Sequence, residues 1–105
     1  SVATGGVLTR EVKSSPSAVA ANATGSTGFS IGLTPKNDCA VEVYLNGLLL
    51  NLGSATNAEV FFSRNAGSTA VALADIASGD TLYFVGTTNG FALETTDIIQ
   101  VVYQA

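Results

Sequence analysis

The carboxylates are the only titratable side chains numerous enough in this sequence for acid–base chemistry. Glu94 and Asp97 lie three positions apart, and Asp75 and Asp80 five apart. Such pairs catalyse when both groups enter one cleft with their pKa values driven apart. These four stand in or near turn-like stretches with Gly, Ser and Thr, where a solvated carboxylate is expected. No segment has the carboxylate density of a calcium loop. The chain has no His, so a Ser or Cys nucleophile would lack an imidazole base and a metal its commonest ligand. Cys39 is the single cysteine, which leaves no internal disulfide and no cysteine zinc site. At the head of a strand it is expected to pack as a small apolar residue, with Lys36 the nearest cation that could activate it. The inventory therefore predicts no catalytic residue, no metal and no cofactor, and a protein that is not an enzyme.

Two weaker patterns point to surfaces rather than to catalysis. Tyr44, Tyr83 and Tyr103 fall on strand-like segments, where they could stack on carbohydrate or serve the core and subunit contacts. Asn22-Ala23-Thr24 matches the glycosylation acceptor pattern, a match expected to be chance since no basic and apolar leader is read at the start of the sequence.

Composition narrows the classes further. The 105 residues suffice for one domain. They are 47% hydrophobic but only 11% charged, less than half the roughly 25% of an average soluble domain. Gly, Ser, Thr and Asn fill the polar share, which suits close packing against other chains. With 4 Lys+Arg against 8 Asp+Glu the net charge is −4, so a phosphate-tracking basic surface and nucleic acid as a ligand are excluded. No apolar run approaches the roughly 20 residues of a membrane span. The lone cysteine fits synthesis in a reducing cytosol. The absence of Met before a small Ser1 is read as removal of an initiator, which would make this a complete small gene product.

Two regions differ in texture. Residues 1–28 are small-residue-rich, with 18 of 28 being Gly, Ala, Ser or Thr, and show no sustained periodicity. They are expected to form an extended N-terminal arm that a partner orders, with Val2, Val7, Leu8 and Val12 as sparse apolar anchors. The contrasting reading makes residues 7–13 an edge strand of the chain's own sheet. Residues 29–105 carry the β domain. Strands are predicted at 29–33, 40–45, 48–52, 59–63, 69–71, 81–85, 91–93 and 98–103, with one helical turn within 72–77. Turn clusters separate them at 34–38, 65–67, 78–80 and 88–90. Asn46-Gly47, flanked by apolar strands, is the strongest hairpin signal, because both central residues of a type I′ turn need positive φ. Short strands without an amphipathic helix read as an all-β fold, an antiparallel sandwich or barrel of the immunoglobulin-like or jelly-roll-like kind.

The stretch Val41-Glu42-Val43-Tyr44-Leu45-Asn46-Gly47-Leu48-Leu49-Leu50, with Gly79-Asp80 and a closing strand ending Val101-Val102-Tyr103, resembles a β module of tailed-bacteriophage virion proteins. The resemblance spans roughly residues 29–103, with residues 87–97 as an insertion. It implies a hairpin, a Gly-Asp turn and a closing strand. It further implies a non-enzymatic virion structural protein, foremost a head decoration (cement) protein that binds and stabilises the capsid shell. A tail fibre or receptor-binding appendage is the alternative. The expected partners are the major capsid protein or other virion proteins, and copies of the chain itself. A homotrimer is favoured because capsids offer three-fold positions. The expected location is the virion, after synthesis in the host cytoplasm, with neither nucleic acid nor membrane as a direct partner.

Overall fold

In the computed structural model, which describes residues 7–36 and 40–105, seven strands form two antiparallel sheets. They are β1 (Leu8–Ser14), β2 (Thr24–Ser30), β3 (Glu42–Leu45), β4 (Leu48–Leu50), β5 (Val60–Ser63), β6 (Thr81–Val85) and β7 (Ile98–Gln104). A 3-10 turn occupies Leu73–Asp75, and a single helical turn, α1 (Gly86–Asn89), follows β6. One sheet runs β1-β7-β3-β4 and the other β2-β6-β5. The fold is all-β, as the pattern of short strands and turns predicts. Of the two expected architectures, two open sheets are present, not a closed barrel.

The sheets share one core because the strands other than β1 turn their buried residues inward between them. Val43 and Leu45 of β3, Leu50 of β4, and Ile99, Val101 and Tyr103 of β7 meet Phe29, Val60, Phe62, Leu82 and Phe84 from the other sheet. Strand β7 is central: it pairs with β1 on one side and β3 on the other.

For residues 7–28, the described part of the extended arm expected over residues 1–28, this topology corrects the expectation. Strand β1 pairs with β7 over its full length, from Leu8 opposite Gln104 to Ser14 opposite Ile98. That is the edge strand of the contrasting reading. The described small residues that follow β1 enter the domain as well. Val19 is buried in the core and bridges to Leu93, and β2 pairs with β6 across a bulge. Buried Thr27 satisfies its hydroxyl on the Leu82 carbonyl at 2.8 Å, so a small polar residue occupies a core position without an unmet hydrogen bond. The boundary drawn between residues 28 and 29 thus falls inside β2.

Other expectations shift locally. Residues 69–71 form no strand; Val71 N–H donates to the Phe62 carbonyl at 2.7 Å. Leu93 makes only its isolated bridge. Strand β4 ends at Leu50, after which Leu52 bridges to Val60 of the other sheet. Both Cys39 and Val2 lie outside the described residues.

Candidate interaction surface

The hairpin forms where the sequence places it. Asn46 and Gly47 have φ of 50° and 85°, and Leu45 faces Leu48 across the closed turn. Asn46 does more than turn the chain. Its Nδ2 donates to Asp97 Oδ1 at 2.9 Å, and its Oδ1 accepts from Ile98 N–H at 2.8 Å. The second Asp97 oxygen accepts the Glu94 N–H at 2.8 Å. Glu94 and Asp97 are therefore joined in a turn that latches the hairpin to the start of β7, and both Asp97 oxygens are engaged. Beside them Leu45, Leu48 and Phe91 line an open cleft of about 380 Å³.

Asp75 and Asp80 converge differently. Asp80 is buried and receives Arg64 Nε at 3.0 Å and Nη2 at 2.8 Å, together with the Ala77 N–H at 2.9 Å. Arg64 Nη2 also reaches the Asp75 carbonyl at 2.8 Å. The Asp80 carboxylate beside it raises the Arg64 pKa further above its ordinary value. This two-pronged contact ties the end of β5 to the turn before β6.

The three tyrosines part company. Tyr103 is buried; its hydroxyl donates to Glu11 of β1 and accepts the Leu33 N–H. Burial, followed by the Glu11 hydrogen bond, pushes its pKa up to about 12. Glu11 also accepts the Gly32 N–H, so this pair clasps β1 and β7 to the chain leaving β2. Tyr83 stacks on Phe61 with ring centroids 5.5 Å apart, and the loop at Gly67 lies against its ring. Only Tyr44 stands on an open sheet face, where its hydroxyl donates to Glu42.

That open face is the outer side of the four-stranded sheet. Across it run Val12, Gln100, Tyr44 and Leu49 in register, flanked by Leu8, Arg10, Val102, Glu42 and Ile98. Leu8, Val12 and Leu49 are each more than half exposed. Of the proposed anchors, Val7, Leu8 and Val12 are thus solvent-facing, although β1 belongs to the chain's own sheet. Composition had pointed to these residues, but the strand-to-strand register that assembles them with Tyr44 and Leu49 has no local signature. Arg10 and Glu42 bracket Val102, and Arg10 donates to Gln100 at 2.7 Å. Exposed apolar side chains with few charges among them on one sheet face suit contact with another protein.

Among the described residues no three His, Cys, Asp or Glu side chains are grouped to hold a metal ion, and no helix is long and apolar enough to cross a membrane. No family model, curated protein or solved structure matches the chain.

Proposed function

We propose that this chain is a non-enzymatic virion structural protein, a bacteriophage head decoration protein that binds the major capsid protein and stabilises the shell. The open outer face of the β1-β7-β3-β4 sheet carries this reading, because it presents Leu8, Val12, Tyr44, Leu49 and Ile98 together on one side of a four-stranded sheet. The resemblance of residues 41–50, 79–80 and 101–103 to a virion β module supplies the biological setting. Sparse charge fits the same role, since partner-facing surfaces avoid the desolvation of ions. Association in many copies, as a homo-oligomer seated on a repeating lattice, lets a modest contact per copy hold.

Copy number in purified particles tests the proposal. A decoration protein occurs in hundreds of copies per head, whereas a tail fibre or receptor-binding appendage occurs in a handful. Binding of the purified chain to undecorated shells, lost in a Val12→Asp, Leu49→Asp double variant that keeps its melting temperature, is the expected outcome. Shells that bind the wild type and the double variant equally would exclude this face as the contact.

A further inference from the structure

The four sheet edges are not equivalent. On the outer side of β2, Ser17 N–H donates to the Thr27 carbonyl at 3.0 Å. On the outer side of β5, Val71 N–H donates to Phe62. Strand β4 is three residues long, and the chain beyond it crosses to β5 through Gly53 N–H to Val60 O. Strand β1 is seven residues long and carries no proline and no bulge.

Its hydrogen-bonding pattern shows which groups stand open. Val7 and Ala105 exchange both backbone bonds, so Val7 begins the hydrogen-bonded series with β7. Residues 9, 11 and 13 continue that series. The N–H and C=O groups of Leu8, Arg10, Val12 and Ser14 therefore point away from β7, along the free edge. A long, straight edge of this kind, left unpaired among the described residues, is a template for another strand.

The charges on β1 select the strand that fits. Among the described residues, the Glu11 carboxylate is held by Tyr103 and Gly32 with no cation in an ion pair with it, and Lys13 has no acidic partner. We infer that β1 pairs antiparallel with β1 of a second copy of this chain, about a two-fold axis through Val12. Centring the pair on Arg10, Glu11 or Lys13 would set that charge against its own copy. Centring it on Val12 places Glu11 opposite Lys13 twice, in the close, non-hydrogen-bonded positions where cross-strand side chains interact most strongly. Arg10 then faces Ser14, and Val12 faces Val12. Backbone bonds run between Arg10 and Ser14 and between the two Val12 residues, joining both four-stranded sheets into one. Ser15, at φ 57°, and Pro16 turn the chain away at the point where the overlap ends. The axis is isologous, so the free chain associates as a dimer, whatever symmetry a shell then imposes.

Sedimentation over a concentration series tests this on the full chain. The expected result is a monomer–dimer equilibrium that weakens as salt rises. Val12→Pro removes only an edge-facing N–H, so it should abolish the dimer while leaving the melting temperature within a few degrees. Lys13→Glu should weaken dimerisation about tenfold or more, since two attractive pairs become repulsive. In a Cys39→Ser background, oxidation should cross-link Val12→Cys but not Arg10→Cys. A wild-type chain that remains monomeric at every concentration overturns the inference, and so does a dimer that survives Val12→Pro or cross-links through position 10. A monomer whose binding to capsid shells is blocked by Val12→Pro also overturns it, by making the added strand a shell protein's.

Discussion

Asn46 and Asp97 stand 51 positions apart and hold each other at the base of the hairpin, with Asn46 Nδ2 donating to Asp97 Oδ1 at 2.9 Å. The same Asn46 side chain accepts from Ile98 N–H, and its backbone N–H donates to the Ile98 carbonyl at 2.9 Å. One turn residue therefore sets both the β3–β4 hairpin and the register of β3 against β7. Both sheet contacts depend on it.

Separate substitutions should resolve those two roles. Gly47→Val should cost about 1–3 kcal/mol through the strain of a β-branched residue at positive φ, because nothing lies within 4 Å of the added Cβ. Asn46→Gly keeps the backbone conformation and removes the latch to Asp97 and Ile98, at a cost of about 1–2 kcal/mol. Urea denaturation of both variants checks this, and an unchanged midpoint for Asn46→Gly would show that the latch contributes nothing.

Asp80 is the buried half of its ion pair, with a side chain 5% exposed against 55% for Arg64. Asp80→Ala should destabilise by about 2–4 kcal/mol, because it leaves the Ala77 N–H and Arg64 without their acceptor. Arg64→Ala should cost less than Asp80→Ala, since water reaches that side of the pair. A double-mutant cycle measures the coupling, and additive losses would contradict it.

Alkaline pH should loosen the clasp between Tyr103 and Glu11. The folded tyrosine titrates at about 12 against 10.0 for an ordinary tyrosine. A raised pKa contributes stability that is whole below about pH 10 and lost as pH rises toward about 12. The loss should reach about 2 kcal/mol, and Tyr103→Phe should remove most of this dependence. Denaturation midpoints across that window, with ultraviolet absorbance following phenolate formation, provide the measurement.

Gly86 begins α1 where no side chain fits. An added Cβ would sit 2.1 Å from the Ala20 carbonyl oxygen, and Gly86 N–H donates to the Ala23 carbonyl at 2.8 Å. Gly86→Ala should cost about 3 kcal/mol or more, because backbone rather than a flexible side chain must yield. A melting temperature equal to wild type would refute this close approach.

Sequence alone determined the features whose causes are local. Asn46-Gly47 announces its turn because positive φ at two successive positions is a demand on those residues themselves. Strands β3, β5, β6 and β7 were legible because their inward apolar residues alternate or run together. Tertiary structure decided the role of residues 7–28. The inward side of β1 carries Thr9, Glu11 and Lys13 at the rim of the sandwich, so it lacks the apolar alternation of a core strand. What makes it a strand is pairing with β7, more than eighty residues away. Small-residue-rich β2 likewise takes its place from contacts with β6, not from its own propensity. The fate of the carboxylates was also a tertiary matter. Asp97 and Asp80 read as solvated turn residues, and became a hairpin latch and a buried anchor because Asn46 and Arg64 are brought to them across the fold. Spacing along a chain specifies which face a side chain occupies, while its partner there depends on how distant segments close over it.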